Sequence, residues 1–323
     1  MQAIVHREYG STEVLNLKDT DKPGIENNEL LVRVRAASLN PYDWHLMTGL
    51  PMFARLSFGL RRPKANGLGA DLAGEVEAVG GKVTAFRPGD EVFGEVVTGS
   101  LAEYVAVSEE SAARKPVKLT FEEAAAVPMG GLTALQAFRD KGGIQPGHSV
   151  LINGSSGGVG TFAVQIAKSF EAEVTAVCST RNIELVRSLG ADHTIDYTEE
   201  DFTKGSSHYD LILDNVGNHS PSKCRKLLNR KGVYVATFGQ PEHKWLGPLA
   251  QMLRILLLSA VVSQKLIPFN AKTTREDLET LAELIEAGKV TPVIDRTYPL
   301  RDVPAAMDYL EEGHARGKVV ITV

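Results

Sequence analysis

The stretch Val150-Leu-Ile-Asn-Gly154-Ser-Ser-Gly157-Gly158-Val-Gly160 decides the fold of this chain. Its glycines Gly154, Gly157 and Gly160 have the spacing G-x-x-G-x-x-G, between an apolar run and an amphipathic stretch. A pyrophosphate approaches a backbone closely only where no Cβ intervenes, and the N–H groups that begin a helix attract the anion. Because a buried strand is predicted before the glycines and a helix over 158–170, the turn predicts a dinucleotide site that includes Ser155, Gly158 and Val159. The alternative is a tight turn that binds nothing.

The residues after the next predicted strand, 173–178, indicate which dinucleotide binds. An NAD-preferring site places Asp or Glu at this point, on the ribose 2′-hydroxyl. This chain has Ser179-Thr180-Arg181-Asn182 instead. Arg181 can pair with a 2′-phosphate and Ser179 can donate a hydrogen bond to it. We therefore predict NADPH as the cofactor, with Asn182 in the same site; a solvated surface arginine is the alternative.

The composition favours an ordinary globular enzyme. The 323 residues are enough for two domains, and 43% are apolar and 23% charged. A net charge of −5 argues against nucleic acid as a partner. Two cysteines exclude a disulfide framework and fit a reducing compartment. The first residues show no basic-then-apolar signal, so we expect a cytoplasmic protein.

The segment Trp245–Val262 is the most apolar part of the chain. It contains Pro248, Gln251 and Arg254 and is shorter than the run of about 20 apolar residues that spans a bilayer. We therefore expect a helix inside a domain and no integral membrane segment. Peripheral contact with a membrane is the alternative, because exposed apolar helices do lie on membrane surfaces.

Two patterns follow one another along the chain. The first 120 or so residues read as short strands separated by glycine and proline turns, and from Thr120 strands and helices alternate. Such alternation is the signature of a parallel, doubly wound sheet, so the fold class is α/β. We expect one domain over 1–122, a second over 123–268, and a return to the first over 269–323.

Three stretches resemble a known family: Gly69–Gly80, Phe86–Val92 and Ala124–Ala134. They are similar to the medium-chain dehydrogenase/reductase superfamily. Ser38–Trp44 and Leu189–Asp192 further resemble its zinc-free branch of quinone oxidoreductases and enone reductases, the relatives of zeta-crystallin. The resemblance implies a GroES-like β-barrel catalytic domain, completed by the C-terminal strands, with a Rossmann cofactor domain inserted in it. It also implies a homodimer.

Zinc-dependent members of that family hold a catalytic metal with cysteine, histidine and glutamate side chains. A catalytic zinc site needs about three such ligands and one open position. The corresponding segments here are 40–43, 68–71 and 128–130, and none supplies a thiolate or an imidazole. We therefore predict that no metal is bound.

Without a Lewis acid, the reaction is restricted to substrates that delocalise the developing charge. Hydride addition to a quinone or an α,β-unsaturated carbonyl produces such a delocalised anion. Asn40 and Tyr42 are the candidate catalytic residues, because an amide N–H and a phenol O–H can both donate to the substrate oxygen. A structural role is the alternative for both, since Asn-Pro also forms turns.

The resemblance implies further contacts with the cofactor and leaves the substrate open. The implied cofactor residues are Thr133, Tyr197, Asn215, Val216, Phe238, Gly239 and Lys318. Leu50–Phe58 and Trp245–Leu258 are candidate walls of a cleft for a hydrophobic small molecule. Two other functions stay open: an NADP-dependent alcohol dehydrogenase, and a cofactor-binding sensor or scaffold with little turnover.

Overall fold

The structure is a computed structural model that describes residues 1–237, 247–259 and 262–323. The chain forms two compact units. Unit 1 contains 1–132, 273–288 and 292–323, and unit 2 contains 133–272 and 289–291. Boundaries after 122 and 268 were expected from the sequence, and the two compact units divide at 132 and 272.

The strands that the described ranges contain are numbered in chain order. They are β1 Gln2–Val5, β2 Asn16–Asp19, β3 Glu29–Leu39, β4 Asp71–Val79, β5 Glu91–Glu95, β6 Tyr104–Ser108, β7 Ala112–Arg114, β8 Ser149–Asn153, β9 Glu173–Cys178, β10 His193–Asp196, β11 Tyr209–Asp214, β12 Leu228–Thr237, β13 Lys265–Phe269, β14 Ile294–Pro299 and β15 Lys318–Thr322.

The α-helices of the same ranges are mostly short. They are α1 Pro41–Thr48, α2 Arg55–Phe58, α3 Phe121–Ala125, α4 Pro128–Gln136, α5 Gly158–Ser169, α6 Ile183–Ser188, α7 Pro221–Cys224, α8 Gly247–Ser259, α9 Arg275–Glu286 and α10 Val303–Glu311. None of the described helices is both long and apolar enough to cross a membrane.

Unit 1 is built on a mainly antiparallel sheet. Its strand order is β14-β15-β3-β4-β5-β7, and β6 also pairs with β3. The C-terminal strand β15 pairs with β3, so the end of the chain completes the sheet that its beginning starts. Alternate residues of β3 such as Leu30, Val32 and Val34 pack into an apolar core, as period-two alternation requires. Lys318 and Asn40 lie next to this β15–β3 pairing.

Unit 2 contains a six-stranded parallel sheet in the order β10-β9-β8-β11-β12-β13. Along the chain, β9 and β10 are added on one side of β8, and β11, β12 and β13 are then added on its other side. The strand order therefore reverses between β8 and β11. This is the doubly wound Rossmann arrangement, in which ligands bind where the order reverses, beyond the carboxyl ends of the strands. The predicted α/β class and the doubly wound sheet are confirmed.

The glycine-rich turn lies at that point of reversal. It follows β8 and leads into α5, whose buried residues Phe162, Val164 and Ile166 pack in unit 2. Three further segments of the predicted cofactor site follow β9, β10 and β11, whereas Thr133 lies in α4 and Lys318 begins β15. The predicted residues Phe238 and Gly239 lie outside the described residues. The apolar helix predicted in Trp245–Val262 corresponds to α8.

Candidate active site

The glycine turn of unit 2 leaves open space where a ligand would need it. A Cβ added to Gly157 would have the Gly154 carbonyl oxygen, 3.8 Å away, as its nearest neighbour. Gly157 is also the N-cap of α5 and provides no side-chain cap, so the first N–H groups of the helix lack that partner. The carboxyl edge of β8 therefore presents an uncovered helix N-terminus beside a turn without side chains, which fits a pyrophosphate.

The two outer glycines serve the shape of the turn. Gly154 has a φ of +80°, in the left-handed region that favours glycine. A Cβ on Gly160 would lie 2.1 Å from the Gly154 carbonyl oxygen, so α5 packs on the turn at a distance that only glycine permits. Ser155 is fully buried, and its hydroxyl donates to the Val177 carbonyl at 2.9 Å. Its side chain thus joins the turn to β9.

Asn182 connects the glycine turn to the segment predicted to read the 2′-phosphate. Its amide nitrogen donates to Ser156 Oγ at 2.9 Å and to Ser179 Oγ at 3.2 Å. Its oxygen Oδ1 is buried and has no hydrogen-bond partner. Arg181 lies between these residues and is exposed. Ser156 was not among the residues predicted for this site, although its position between Gly154 and Gly157 could have indicated it.

Tyr197 follows β10, the neighbour of β9, and Asn215 follows β11, the neighbour of β8. Tyr197 is half exposed, and its backbone N–H donates to the Cys178 carbonyl at 3.0 Å, which places it beside the end of β9. The Asn215 Oδ1 accepts a hydrogen bond from Thr237 at 2.8 Å. Its Nδ2 is buried without a partner. A polar ligand at this edge would satisfy such unpaired groups.

The loop 215–217 is held by a buried carboxylate that the sequence analysis did not single out. Asp214 is fully buried, and its oxygens accept hydrogen bonds from Tyr234, Asn153 and the backbone of Val216 and Gly217. The bond from the Tyr234 hydroxyl is 2.6 Å long. This network fixes Val216, whose side chain is 44% exposed. Thr133 is buried in α4.

Unit 1 contains a second polar cluster, centred on Asp71. Its carboxylate accepts hydrogen bonds from Ser38 Oγ at 2.9 Å, Asn40 Nδ2 at 3.0 Å and the Met129 backbone N–H at 3.0 Å. The Lys318 ammonium lies 3.0 Å from the same carboxylate and also donates to Asn40 Oδ1. Asp71 and Lys318 are 0% and 2% exposed. We call these five residues the Asp71 network.

The three segments that the family resemblance matches to metal-binding segments of zinc-dependent members each supply one residue to this network. Asn40 belongs to the first, Asp71 to the second and Met129 to the third. The positive charge placed among them is the ammonium of Lys318. Throughout the described ranges, no three His, Cys, Asp or Glu side chains are arranged to hold a metal ion.

Asn40 also begins α1. Its backbone N–H donates to Asp43 Oδ2 at 2.8 Å, as an acidic residue at the third helical position does in a capping box. The Asn40 amide nitrogen is near two acceptors, Asp71 and the Ser38 carbonyl. The Asn40 amide is therefore hydrogen-bonded to Asp71 and Lys318. Lys318 was expected near the cofactor, and its ammonium lies in this network.

Tyr42 lies two residues after Asn40 and is half-buried. Burial, together with the charges of Asp43 and Glu95, raises the pKa of the Tyr42 phenol to about 12, so the phenol is an O–H donor at neutral pH. Its ring meets Phe58 edge to face, with centroids 6.0 Å apart. Phe58 ends the apolar segment 50–58, which thus contacts Tyr42.

The fold and these two sites define a nicotinamide-dinucleotide oxidoreductase with a separate cofactor unit. The Alcohol dehydrogenase GroES-like domain family matches residues 26–117, and the Zinc-binding dehydrogenase family matches residues 189–321. The chain belongs to the medium-chain dehydrogenase/reductase superfamily, and its homologues are quinone oxidoreductases and enone or alkenal reductases. It is an NAD(P)H-dependent oxidoreductase, and its GroES-like domain is confirmed.

Relatives cover the whole chain. The mitochondrial NAD(P)H oxidoreductase RTN4IP1 of Bos taurus is 38% identical over 100% of the chain and 89% of the relative. The 2-methylene-furan-3-one reductase of Solanum lycopersicum is 36% identical over 99% and 79%. The chloroplastic NADPH-dependent alkenal/one oxidoreductase of Arabidopsis thaliana is 34% identical over 99% and 79%.

Solved structures give the same picture. The quinone oxidoreductase of Coxiella burnetii has a TM-score of 0.87 and is 31% identical, with 100% of this chain and 99% of that chain covered. The Escherichia coli quinone oxidoreductase complexed with NADPH has a TM-score of 0.86 and is 25% identical, with both chains fully covered.

Proposed function

We propose that this protein reduces quinones or α,β-unsaturated carbonyls with NADPH and without zinc. The observation that carries the proposal is the Asp71 network, in which a lysine ammonium lies among the three segments that hold zinc in other members. A buried ammonium repels a metal dication. The neighbouring side chains of Ser38 and Asn40 provide a hydroxyl and an amide, and neither is a thiolate or an imidazole that would bind zinc. The names of the tomato and Arabidopsis relatives, an enone-type and an alkenal reductase, support this substrate class.

The proposal assigns the cofactor to unit 2. The uncovered N-terminus of α5 and the space at Gly157 would hold the pyrophosphate. Ser179, Arg181 and Tyr197 would contact the adenosine end of the cofactor. Asn215 would contact the cofactor at the carboxyl end of β11. When bound, the cofactor supplies a hydride from its nicotinamide ring.

The proposal assigns the substrate oxygen to unit 1. Tyr42 would donate a hydrogen bond to that oxygen, because its phenol carries a proton at neutral pH and burial raises its pKa further. Phe58 and its apolar segment would contact the hydrophobic part of the substrate. A conjugated acceptor spreads the negative charge, so one such donor can stabilise it where a simple ketone would need a metal.

Further parts of the proposal concern the state of the protein in the cell. We propose a homodimer with no nucleic-acid partner, and we keep the cytoplasmic location as a prediction. Two of the relatives named above, those of Bos taurus and Arabidopsis thaliana, are described as mitochondrial and chloroplastic.

The metal part of the proposal predicts that activity survives chelation. Purified protein should oxidise NADPH with a panel of enones and quinones, contain no stoichiometric zinc, and keep its rate after incubation with a strong chelator. Metal analysis and steady-state assays on the same sample provide the measurement. One tightly bound zinc per chain, removed together with activity, would contradict the proposal.

The cofactor part predicts a selective effect of Arg181→Ala. A charge-assisted contact with the 2′-phosphate should be lost, so KM for NADPH should rise by about one to two decades, and KM for NADH should change little. kcat should stay nearly constant, because this contact is equal in the ground and transition states. Arg187→Ala is a matched control, since Arg187 is an exposed arginine of α6 that pairs with Glu184.

Two results would refute the NADPH assignment. One is a wild-type preference for NADH. The other is an equal weakening of both cofactors by Arg181→Ala, which would mean that Arg181 supports the site without reading the phosphate. The effect on NADPH should also become smaller as salt rises, because exposed charge pairs are screened.

A further inference from the structure

Glu95 is an acidic residue that the sequence analysis did not consider and that lies beside the Asp71 network. In the sheet of unit 1, Ser38 on β3 is paired with Asp71 on β4, and Asp71 is paired with Glu95 on β5. Residues paired directly across antiparallel strands point to the same face, with Cβ atoms about 4.5 to 5.5 Å apart. The two carboxyl groups are therefore neighbours on one face of the sheet.

Charges around Glu95 are unbalanced. Asp43, Asp71 and Glu95 contribute three carboxyl groups. Among the described groups that shift the pKa of Glu95, Lys318 is the only cation. That ammonium is 3.0 Å from Asp71. The negative charge of Asp71 and burial thus oppose ionisation of the other two carboxyl groups. Tyr42 also interacts with Glu95, and the Thr273 side chain forms a hydrogen bond with it.

The protonation of Glu95 follows from this environment. Burial, and then the charge of Asp71, raises the pKa of Glu95 to about 8, against the smaller lowering effects of Thr273 and Lys318. Burial raises the pKa of Asp43 to about 7. A glutamic acid with such a pKa carries a proton at neutral pH and can release it, as a general acid must.

Access distinguishes Glu95 from the other two carboxyl groups. Asp43 and Asp71 are both 0% exposed, whereas Glu95, at the end of β5, is half-buried. Asp43 is further occupied by the backbone N–H of Asn40, which it caps. Of the three, Glu95 is the one that both holds a proton and reaches the surface of unit 1.

We propose that Glu95 is the general acid that delivers a proton to the anion left on the substrate by hydride addition. This inference rests on the proposed function. In enone reduction NADPH would supply the hydride, which brings two electrons and forms the new C–H bond at the β-carbon. The π bond between the α- and β-carbons breaks, its electrons move toward the carbonyl oxygen, and an enolate is left. The Glu95 O–H bond then breaks, its proton forms the C–H bond at the α-carbon, and Glu95 becomes a carboxylate. Water returns a proton to Glu95 before the next turnover.

The test compares Glu95→Gln with wild type on an enone and on a quinone. General acid catalysis contributes about 10²- to 10⁴-fold, so kcat for the enone should fall by at least about 10²-fold. The hydroquinone anion is a much weaker base than an enolate, and water can protonate it, so quinone reduction should fall less than about threefold. A merely structural role would reduce both rates together. NADPH binding, followed by fluorescence titration, should be unchanged.

The pH profile provides an independent readout. Glu95 must be protonated to act, so wild-type kcat for the enone should be full below pH 8 and should fall above it by about tenfold per pH unit. Glu95→Gln should lack this limb, and Glu95→Asp should keep a limb, since it restores a carboxyl group. Glu91→Gln is the matched control: Glu91 lies on the same strand, exposed and paired with Lys115, and its loss should alter neither rate nor profile.

The outcomes separate this inference from the function on which it rests. Wild-type turnover of enones with an unchanged rate and pH limb in Glu95→Gln would overturn the role of Glu95 and leave the proposed function intact. NADPH binding by wild type without turnover of any quinone or enone would overturn both.

Discussion

Replacing Lys318 with methionine should lower the free energy of unfolding by about 3 to 5 kcal/mol. Lys318 and Asp71 form an ion pair that is 2% and 0% exposed. Methionine fills a similar volume but leaves the Asp71 carboxylate as a buried charge without a cation, and it deprives Asn40 Oδ1 of its donor. Such an uncompensated charge costs far more than the loss of a surface contact. Urea denaturation of the two proteins at the same pH measures the difference.

A second substitution distinguishes charge from packing. Adding Asp71→Asn to Lys318→Met removes the unpaired charge, so the double variant should regain much of the lost stability. Lys22→Met is the control, because Lys22 pairs with Glu77 at 2.6 Å with both side chains exposed, and exposed pairs contribute little. If Lys318→Met is as stable as wild type, the network is not held together by this pair.

Replacing Gly160 with alanine should destabilise unit 2 by about 3 kcal/mol, whereas the same change at Gly157 should cost less than about 1 kcal/mol. The Gly160 Cβ would lie 2.1 Å from a backbone oxygen and 2.6 Å from backbone atoms of Ser155, and neither can move without opening the turn. The Gly157 Cβ would meet nothing closer than 3.8 Å, and its φ of −84° suits alanine.

Although Gly157→Ala should cost little stability, it should strongly weaken cofactor binding. Gly157→Ala places a methyl group before the N-terminus of α5, where the pyrophosphate is proposed to lie, so Kd for NADPH should rise about tenfold or more although the protein remains folded. Denaturation midpoints and fluorescence titration on both variants are the measurements. An unchanged Kd for Gly157→Ala would show that the glycines form a turn and not a binding site.

The cofactor site could be predicted because its signals are local in the sequence. The glycine turn, the strand before it and the helix after it lie within about twenty residues, and their order determines the turn. Arg181 and Ser179 are found by counting along the next strand. Ser156 and Asp214 were missed because their roles come from contacts with Asn182 and Tyr234, which are distant in sequence.

The site of unit 1 depends on strand register, which one sequence does not reveal. Lys318 and Asp71 are 247 positions apart, and their contact requires β15, β3 and β4 to pair in one register. A shift by one residue would turn Ser38 or Glu95 to the opposite face. The pairing of Lys318 with Asp71 therefore gave no signal in the sequence, and neither did Glu95.

We propose that the hydride of NADPH is added to the β-carbon of a conjugated carbonyl compound. The most direct measurement is reduction of a 2-alkenal with NADPH that carries deuterium at both C4 positions, followed by mass spectrometry and NMR of the product. The account predicts a saturated aldehyde with one deuterium at the β-carbon. Deuterium at the carbonyl carbon, in an allylic alcohol, would identify an alcohol dehydrogenase and contradict the account.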